Sequence, residues 1–423
     1  MKSILKQAIF SVAVLTGISF YGQSRDLDNY RLPDQRGVNV FEAPKDTVST
    51  FDDIQVRIGG SSTLQFQAID HENSGAVGSE LKEIGANFNL ATANLDLDVV
   101  LYDGVRMHLR TYLSSRHHPE PYVKGGYFQI DKLDFIHEGF LEDFMKYATI
   151  KVGHMENNYG DAHFRRTDNA QAIYNPFVGN LIMDAFTTEV GAELYYRRNG
   201  FIGMVGFANG KLNQSINKTG STTGGGSFLA KLGYDKQLNN DLRVRLTGSV
   251  YTTGYVPNSY LYNADRAGSR YYGVMIPATA TADDFRSGRY NPNLRNEITA
   301  FMINPFVKYK GLEFFGTIES AKGKASTEVS DRTANQFASE LVYRFGSNEN
   351  IFIGGRYNVV DSEELSGEDV KIERVQLGAG WFMTKNILMK LEYVSQTYDG
   401  YNISSPLNGG KFNGLMAEAV ISF

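Results

Sequence analysis

Residues 93–113 alternate between apolar and polar side chains in two successive runs, and this alternation restricts the fold more than any other feature of the chain. A repeat of two residues predicts β-strands, in which alternate side chains point to opposite faces. One face of the predicted hairpin is apolar and consists of Ala93, Leu95, Leu97, Val99, Leu101, Val105, Met107, Leu109 and Leu113. The other face is mostly polar and includes Asp96, Asp98, Arg106, His108 and Arg110. The hairpin therefore separates an apolar surface from a charged one.

The turn of this hairpin determines which residues face each other. A three-residue loop at residues 102–104 pairs Leu101 with Val105 and places Gly104 in the left-handed conformation of a bulged turn. In the same register two charged pairs form, Asp98 with His108 and Asp96 with Arg110. A soluble sandwich would turn the charged face outward, whereas a transmembrane barrel would turn the apolar face to lipid and the charged face to a wet lumen.

The connections between strand candidates favour the barrel. About sixteen candidates lie between Ser62 and Phe423, and the fourth is predicted to run from Lys124 to His137. The alternation slips near residues 88–92, where we expect a β-bulge. Short connections such as 103–104, 199–200 and 310–311 alternate with long ones such as 155–186 and 254–297. Short periplasmic turns, long extracellular loops and an even strand count predict an all-β fold, a transmembrane antiparallel up-and-down β-barrel.

Three further hairpins divide into the same two faces. The predicted pairs are Lys308 with Glu313 across residues 310–311, Met383 with Ile387 across 384–386, and Tyr234 with Leu242 across 236–240. The basic residues expected to point inward in these hairpins include Lys231, Arg243, Arg245 and Lys308. Aromatic residues near the short turns, namely Tyr234, Tyr309, Tyr343 and Trp381, are expected to form an interfacial girdle.

The N-terminal part of the chain differs from the rest. Residues 1–23 have Lys2 and Lys6 before an apolar run that is too short for an anchor, which is the layout of a secretory signal peptide. Residues 24–53 are polar and aperiodic, and we expect either a disordered periplasmic leader, the favoured interpretation, or a segment lodged at the periplasmic mouth. The predicted barrel spans residues 54–423, and the chain is expected in the outer membrane of a Gram-negative cell.

Composition argues against several functions. The formal net charge is −5 and the sequence pI is about 5.9, whereas a nucleic-acid-binding domain would present a basic face. The absence of cysteine excludes thiol chemistry, disulfides and a lipidated N-terminus. The mean hydropathy of −0.30 gives no sign of a transmembrane helix. We therefore expect no nucleic-acid partner.

The long segment 155–186 is the candidate constriction of the pore. Its charged residues include Asp161, His163, Arg165, Arg166 and Asp168. The segment follows the fifth strand, and in a transmembrane barrel a connection of this length can fold back into the channel. If it does so here, Arg165 and Arg166 lie where the pore is narrowest and screening is weakest. Inward basic residues also outnumber inward acidic ones, which indicates either a mild anion preference or charges that only keep the lumen hydrated.

No catalytic, cofactor or metal site is predicted. His163 has no serine or cysteine nucleophile at a suitable spacing, and His108 is on the inner face rather than on the lipid face that a membrane lipase would use. His117, His118 and Glu120 could ligate a metal, but in a short exposed loop the structural interpretation is favoured. The tyrosines of the longest loop could stack on sugars or pack the loop onto itself, and they are Tyr260, Tyr262, Tyr271, Tyr272 and Tyr290.

Three stretches, 159–168 (YGDAHFRRTD), 174–180 (YNPFVGN) and 184–189 (DAFTTE), resemble a segment of outer-membrane porins related to the phosphate-selective porin O and P family. The resemblance covers the predicted barrel and implies a channel. Phosphate channels of that family use lysine-rich lumen rings, whereas the inward basic residues here are mainly arginines. The chain ends in LMAEAVISF, which resembles the C-terminal signature that the barrel-assembly machinery recognises.

Together these features predict an outer-membrane porin, a water-filled channel for passive diffusion of small hydrophilic solutes and ions. The alternatives are a substrate-specific channel for phosphate, other anions or oligosaccharides, and a barrel enzyme or surface adhesin with an occluded lumen. The expected partners are outer-membrane lipid and lipopolysaccharide, the barrel-assembly machinery through Phe423, small hydrophilic solutes and, in a homotrimer, other copies of the chain.

Deletion of Phe423, or its replacement by Asp, is expected to reduce assembly into the outer membrane without changing the conductance of the barrels that do assemble, because the terminal aromatic acts during insertion. The amount of heat-modifiable folded barrel in isolated membranes measures the effect. Equal amounts of folded barrel from mutant and parent would contradict the assigned role.

Overall fold

The protein, seen in a computed structural model, is built from one closed antiparallel sheet. The structure describes residues 30–43, 45, 51–89, 92–114, 122–167, 171–213, 216, 225–263, 271–281 and 287–423. Within these ranges, no helix has the length and apolar character needed to cross a lipid bilayer. The helical elements described are α1 (Glu142–Met145) and the 3-10 turns Gln35–Gly37, Ala162–Arg165 and Ala172–Tyr174.

Strands make up most of the described chain. In order they are β1 (Gln55–Glu72), β2 (Asn87–Phe88), β3 (Thr92–Tyr102), β4 (Val105–Ser114), β5 (Tyr122–Ile130), β6 (Ala148–Glu156), β7 (Thr188–Arg198), β8 (Phe201–Ala208), β9 (Ser227–Gln237), β10 (Leu242–Thr253), β11 (Glu297–Tyr309), β12 (Leu312–Lys324), β13 (Arg332–Phe345), β14 (Ile351–Glu363), β15 (Asp369–Thr384), β16 (Ile387–Asp399) and β17 (Lys411–Ser422). From β3 to β17 each strand pairs with the next one along the chain.

The first strand closes the barrel because it pairs on both sides. Its first half lies beside β3 and its second half lies beside β17. At this seam the backbones of Gly60 and Phe423 exchange two hydrogen bonds, at 2.9 and 3.0 Å. The short β2 also pairs with β1, in line with β3, so that the wall has sixteen strand positions. The predicted all-β antiparallel barrel of about sixteen strands is confirmed.

The slip predicted at residues 88–92 corresponds to the break between β2 and β3. Phe66 of β1 faces Phe88, and Thr63 of β1 faces Thr92, so this side of the pair contains one residue more than β1 does. One extra residue on one strand is the defining feature of a β-bulge. It reverses the alternation, which is why Phe88 is exposed on the outer face although Thr92, four residues later, is buried.

The register predicted for the tightest hairpins is confirmed. The pairs found are Asp96 with Arg110, Asp98 with His108, and Lys308 with Glu313. Gly104 has the predicted left-handed conformation, with a φ of 71°. The tip of the first hairpin differs from the prediction, because Tyr102 rather than Leu101 faces Val105. The turn therefore has two residues instead of three, and the extra residue is Leu101 within β3.

Two other predicted pairings are wrong, those of Tyr234 with Leu242 and of Met383 with Ile387. The pairs found instead are Tyr234 with Leu246 and Thr384 with Ile387. The first shift arises because β9 continues to Gln237, which leaves residues 238–241 as the turn. The second arises from a bulge at the end of β15. The first shift is an even number of residues, so Lys231, Arg243 and Arg245 still point inward as predicted.

Alternate residues of each strand have opposite environments. In β13, for example, Leu341 is 53% exposed on the outer face, whereas its neighbour Glu340 is 3% exposed on the inner face. The outer face is therefore apolar, whereas the inner face carries the charged side chains together with buried apolar ones such as Phe306 and Phe352. This arrangement is the one expected of a barrel surrounded by lipid.

Short connections of two to five residues predominate at the end of the barrel where the leader also enters. They comprise 103–104, 199–200, 238–241, 310–311, 346–350 and 385–386. The connection 131–147 at the same end is longer, because β5 ends at Ile130 and not at His137 as predicted. Local hydrogen bonds replace the strand pairing there, since the Gly139 amide donates to the Asp134 carboxylate at 2.9 Å and the Phe140 amide donates to the His137 carbonyl at 3.0 Å.

Leu97 tests the assignment of the outer face, because it lies in the middle of β3 between Ile58 and Leu109. We expect Leu97→Arg to lower the free energy of unfolding by about 2–4 kcal/mol, since a charge that faces the middle of a bilayer is costly. Denaturant unfolding in lipid vesicles measures the loss, with Leu97→Met as the matched control. Equal stability of the two variants would show that Leu97 does not face lipid.

Candidate functional site

The inner wall carries the charged side chains that the sequence predicts to line a pore. On β3, β4 and β9 to β12 these are Asp96, Asp98, Arg106, His108, Arg110, Lys231, Arg243, Arg245, Lys308 and Glu313. Most of them are buried, because three other parts of the chain occupy the lumen. These parts are the leader (residues 30–43), the inner loop (residues 157–187) and the tyrosine loop (residues 254–296), each within its described residues.

The charged face of the first hairpin is a set of ion pairs. Arg110 and Asp96 form a two-pronged contact with both N–O distances at 2.7 Å. Asp98 lies 2.6 Å from the Nδ1 atom of His108 and also 2.6 Å from a guanidinium nitrogen of Arg57 in β1. The acidic side chains of this hairpin are thus neutralised by neighbouring strands, and a change at Asp98 would leave two basic groups without their partner.

The inner loop is held in the lumen by side chains of the wall. The backbone amides of Val178 and Gly179 donate to the Glu392 carboxylate at 2.8 and 3.2 Å. The Ile182 amide donates to the side-chain oxygen of Asn358 at 2.7 Å. A loop in the lumen must satisfy its backbone groups without strand neighbours, and here the polar wall supplies the partners.

Asp161 is the centre of the ion pairs between the inner loop and the wall. Arg245 donates to both of its carboxylate oxygens at 2.8 Å, Lys231 donates at 3.0 Å and the Thr247 hydroxyl donates at 2.7 Å. Burial alone would raise the pKa of the Asp161 carboxyl, but Arg245 and Lys231 outweigh burial and hold the pKa well below its usual range. Because the folded-state pKa is lowered, this contribution to stability is present at neutral pH and is lost only in strong acid.

Arg165 and Arg166 do not present free charges to an opening. Arg165 donates to the side-chain oxygen of Asn39 at 2.5 Å and lies 3.4 Å from a carboxylate oxygen of Glu340. Arg166 forms an ion pair with Asp184 at 2.6 Å. Each arginine is 3% exposed. Both arginines of the predicted constriction therefore lie in the inner loop as members of buried ion pairs.

The histidine of the inner loop, His163, also has polar partners on both ring nitrogens. His163 lies 2.8 Å from the Glu156 carboxylate through Nδ1 and 3.0 Å from the Asn158 side-chain oxygen through Nε2. Asp168, His117, His118 and Glu120 lie outside the described residues. In the part of the chain that the structure describes, no group of three or more His, Cys, Asp or Glu side chains is placed to hold a metal ion.

The leader lies inside the barrel rather than forming a disordered tail. Phe41 is buried, with its ring centroid 5.3 Å from that of Phe306. The adjacent Glu42 is paired with Arg245 at 2.7 Å. Burial would raise the pKa of Glu42, but the charges of Arg245 and Lys231 lower it to about 2. For residues 30–43 the structure supports the alternative that the sequence left open, a segment lodged in the mouth.

Contacts with the short connections place the leader at the short-turn end. The Gln35 amide donates to the Lys385 carbonyl at 2.8 Å, and the Gln35 side chain donates to the Asn348 carbonyl at 2.8 Å. Lys45, just beyond the leader, forms an ion pair with Asp131 at 3.2 Å. The leader therefore narrows the lumen at the end predicted to face the periplasm. In the sequence, the apolar residues Val38, Val40 and Phe41 beside Glu42 are the signal that could have indicated this burial.

The tyrosine loop fills the opposite end of the lumen. The Tyr262 hydroxyl donates to the Glu319 carboxylate at 2.6 Å, and the Tyr271 hydroxyl donates to the Glu392 carboxylate at 2.6 Å. Tyr290 is hydrogen-bonded to Ser362 at 2.8 Å. These three tyrosines bind the wall, and Tyr272 is buried beside it. The sequence left open sugar stacking or packing of the loop onto itself, and the structure shows that these tyrosines pack the loop against the wall.

A cavity of about 170 Å³ remains between the leader, the inner loop and strands β3 to β6. Two cations on its lining are Lys151 and Arg31. The ammonium of Lys151 lies 5.3 and 5.2 Å from the ring centres of Tyr127 and Tyr195. The guanidinium of Arg31 lies 3.5 Å from the ring centre of Tyr174, and its Nη2 atom is buried without a hydrogen-bond partner.

The charges around this cavity are not equally compensated. The acidic side chains on the lining are Glu42, Asp96, Asp98 and Glu156. The first three form ion pairs with arginines, and Glu156 lies 2.8 Å from His163. In contrast, no carboxylate among the described residues lies within 4.0 Å of a charged nitrogen of Lys151 or Arg31. The cavity therefore presents two cations whose charge no ion pair offsets.

Comparison with known proteins relates the chain to outer-membrane proteins by fold. No protein-family model and no curated protein matches the chain. A trimer form of in-vitro folded OmpT, an outer membrane protein of Vibrio cholerae, matches with a TM-score of 0.51 and 12% identity over 88% of this chain and 100% of that chain. The anion-selective porin from Comamonas acidovorans gives a TM-score of 0.51 with 12% identity, over 88% of this chain and 100% of that one.

A high-pH structure of OprB from Pseudomonas putida is similar to the same degree. Its TM-score is 0.53 with 11% identity, and the match covers 88% of this chain and 94% of that chain. At such low identity these similarities concern the fold, which is that of outer-membrane porins. Residue roles must therefore be argued from this chain's own contacts.

Asp161→Asn is expected to lower the free energy of unfolding by about 3–5 kcal/mol, because removing one partner leaves Arg245 and Lys231 buried without full compensation. The midpoint of heat-induced unfolding, followed as the mobility change on gels, measures the loss. Asp70→Asn, which removes an exposed carboxylate from the outer face of β1, is the matched control. A midpoint for Asp161→Asn as high as that of the control would mean that the inner loop does not depend on this ion pair.

Proposed function

We propose that the protein is an outer-membrane porin that conducts small hydrophilic solutes and ions, with a preference for anions. The observation that carries the proposal is the lumen cavity with Lys151 and Arg31 on its lining, inside a closed barrel whose outer face is apolar. A barrel with a polar, charged interior provides a path for solutes that lipid would reject. The similar fold of an anion-selective porin is consistent with this function.

The anion preference follows from which charges are compensated. Arg165 and Arg166 are each paired with an acidic side chain, so their fields are largely cancelled at a distance. Lys151 and Arg31 have no such partner, and they lie in a confined space where water screens charges less than at the mouth. A passing anion would therefore be stabilised near these two residues, and a passing cation would be repelled.

The filled lumen supports a narrow channel rather than a wide one. The leader and the inner loop bury most of the charged wall, and a cavity of about 170 Å³ is left between them. A second candidate is a substrate-specific channel, which is favoured by the rings of Tyr127 and Tyr195 beside Lys151. Block of single-channel current by one solute but not by others of equal size would select this second candidate.

The proposed cellular setting follows from the same features. Residues 1–23, which lie outside the described residues, would direct export, and the apolar outer face would contact outer-membrane lipid and lipopolysaccharide. Phe423 would be recognised by the barrel-assembly machinery. A homotrimer is the proposed assembly, in keeping with the trimer form of the structurally similar OmpT.

Lys151→Gln is expected to shift the reversal potential toward cation preference in a salt gradient across a planar bilayer, because it removes an uncompensated lumen charge. Lys236→Gln removes the same charge from the exposed short-turn rim and is the matched control. There the shift should be small, since salt screens rim charges within about 10 Å at 0.1 M. Equal shifts of the reversal potential for the two variants would refute the role of Lys151 in anion preference. The absence of any conductance in the parent protein would refute the proposed porin function.

A further inference from the structure

The connection between β5 and β6 contains more structure than a turn requires. It comprises residues 131–147, whereas the other connections at that end have two to five residues. Its backbone is closed by local hydrogen bonds, for example from the Ile136 amide to the Leu133 carbonyl at 2.9 Å and from the Met145 amide to the Leu141 carbonyl at 2.8 Å. The segment is thus an ordered projection at the rim of the barrel.

Neighbouring strands hold this projection at both of its ends. At its start, the Asp131 amide donates to the Gly104 carbonyl at 2.7 Å, and Lys132 forms an ion pair with Asp103 at 2.8 Å. At its end, the Arg197 amide of β7 donates to the carbonyl of the last residue of the connection at 2.9 Å. The orientation of the projection relative to the wall is therefore determined by contacts and not by its own sequence alone.

The projection exposes a cluster of large apolar side chains, which we call the rim patch. The rim patch consists of Phe135, Ile136, Phe140, Leu141 and Phe144, which are 40–60% exposed. Isolated exposed apolar residues are ordinary, but a cluster of five in one short segment marks an interaction surface. A water-exposed periplasmic turn would have no reason to carry them.

The rim patch is continuous with the apolar outer face of the barrel. The ring centroid of Phe144 lies 5.9 Å from that of Tyr196, with the two rings nearly stacked, and Tyr147 lies 5.8 Å from the same ring. Tyr196 is on the outer face of β7, and the outward residues Phe128 of β5 and Val152 of β6 lie on the strands that the projection joins. A molecule that covers Phe128, Val152 and Tyr196 would therefore also contact the rim patch.

Two cations flank the aromatic part of this surface. The guanidinium of Arg198 lies 4.7 Å from the ring centre of Tyr147, and the ammonium of Lys146 lies 6.0 Å from it. Cations beside aromatic and apolar side chains suit the level of a bilayer at which phosphate groups meet acyl chains. Phospholipid phosphates would neutralise both cations, whereas the exposed carboxylates of Glu138, Glu142 and Asp143 in the same projection would have to remain in water.

We propose that the rim patch is a membrane-interface anchor, in which residues 131–147 insert their apolar side chains into the headgroup and acyl boundary of the inner leaflet of the outer membrane while Lys146 and Arg198 bind phospholipid phosphates. The occupant is phospholipid, because the patch continues the lipid-facing surface and carries cations at its edge. This anchor is separate from solute passage, so its failure would leave the proposed porin function intact.

The test uses the full-length barrel reconstituted in vesicles of phosphatidylcholine and phosphatidylglycerol. Trp381 is the sole tryptophan, so Trp381→Phe gives a silent background into which Phe140→Trp is introduced. We expect blue-shifted emission, loss of intensity when the acyl chains are brominated, and protection from aqueous iodide. Leu141→Trp is the second probe if the first variant does not fold, which heat-modifiability reveals.

Ile403→Trp in the same background is the matched control, since Ile403 is an exposed apolar residue in a connection at the opposite end of the barrel. Iodide quenching of the rim-patch tryptophan as strong as that of the control would overturn the proposal. A second result would also overturn the proposal. If the tryptophan emission did not respond to brominated lipid but changed with the number of barrels per vesicle, the rim patch would contact another copy of the chain. Unchanged single-channel conductance of the Phe140→Trp variant is expected.

Discussion

A strand that crosses a bilayer has no water to satisfy its backbone, and the rest of this structure depends on that constraint. Every strand must find hydrogen-bond partners on both sides, which an open sheet cannot offer. Here β1 supplies the last two partners, because its first half pairs with β3 and its second half with β17. Closure in turn forces alternate side chains to lie either outside or inside, and so assigns apolar residues to one surface and charged residues to the other.

Closure creates an interior in which charged groups are crowded and must be compensated. The inner loop and the leader supply much of this compensation. Asp161 of the inner loop binds Arg245 of the wall, and Glu42 of the leader binds the same arginine. Wall carboxylates act in the same way toward backbone groups, as when Glu392 accepts the amides of the inner loop. The lumen is thus narrowed by elements that are held through charge pairing and also through apolar packing, since Val178 and Ile182 of the inner loop lie in one buried cluster with Val360 and Val394 of the wall.

Selective behaviour can arise only where this compensation is incomplete. Most basic residues of the lumen have acidic partners, and a solute would sense them as nearly neutral pairs. Lys151 and Arg31 are exceptions among the described residues, with aromatic rings rather than carboxylates beside them. The same reasoning applies outside, where the rim patch is exposed and where no carboxylate of the described residues forms an ion pair with Lys146 or Arg198. At the lumen cavity and at the rim patch alike, the proposed role rests on charged or apolar groups that no neighbouring protein group neutralises or covers.

The sequence alone determined the fold class, the two faces of each strand and the register of the tightest hairpins. It could do so because the strand repeat is two residues and because a two-residue turn allows few pairings, as at Lys308 and Glu313. Longer turns allow several registers of equal parity, which is why Tyr234 was paired four residues away from its true partner.

Only the tertiary structure decided how the lumen is filled and which charges remain uncompensated. The partners of Arg165 are Asn39 and Glu340, and the main partner of Asp161 is Arg245. These partners are far apart along the chain and meet only after the barrel has closed around the leader and the inner loop. No local pattern records such contacts, because short-range periodicity reports the environment of a side chain but not the identity of its distant neighbour.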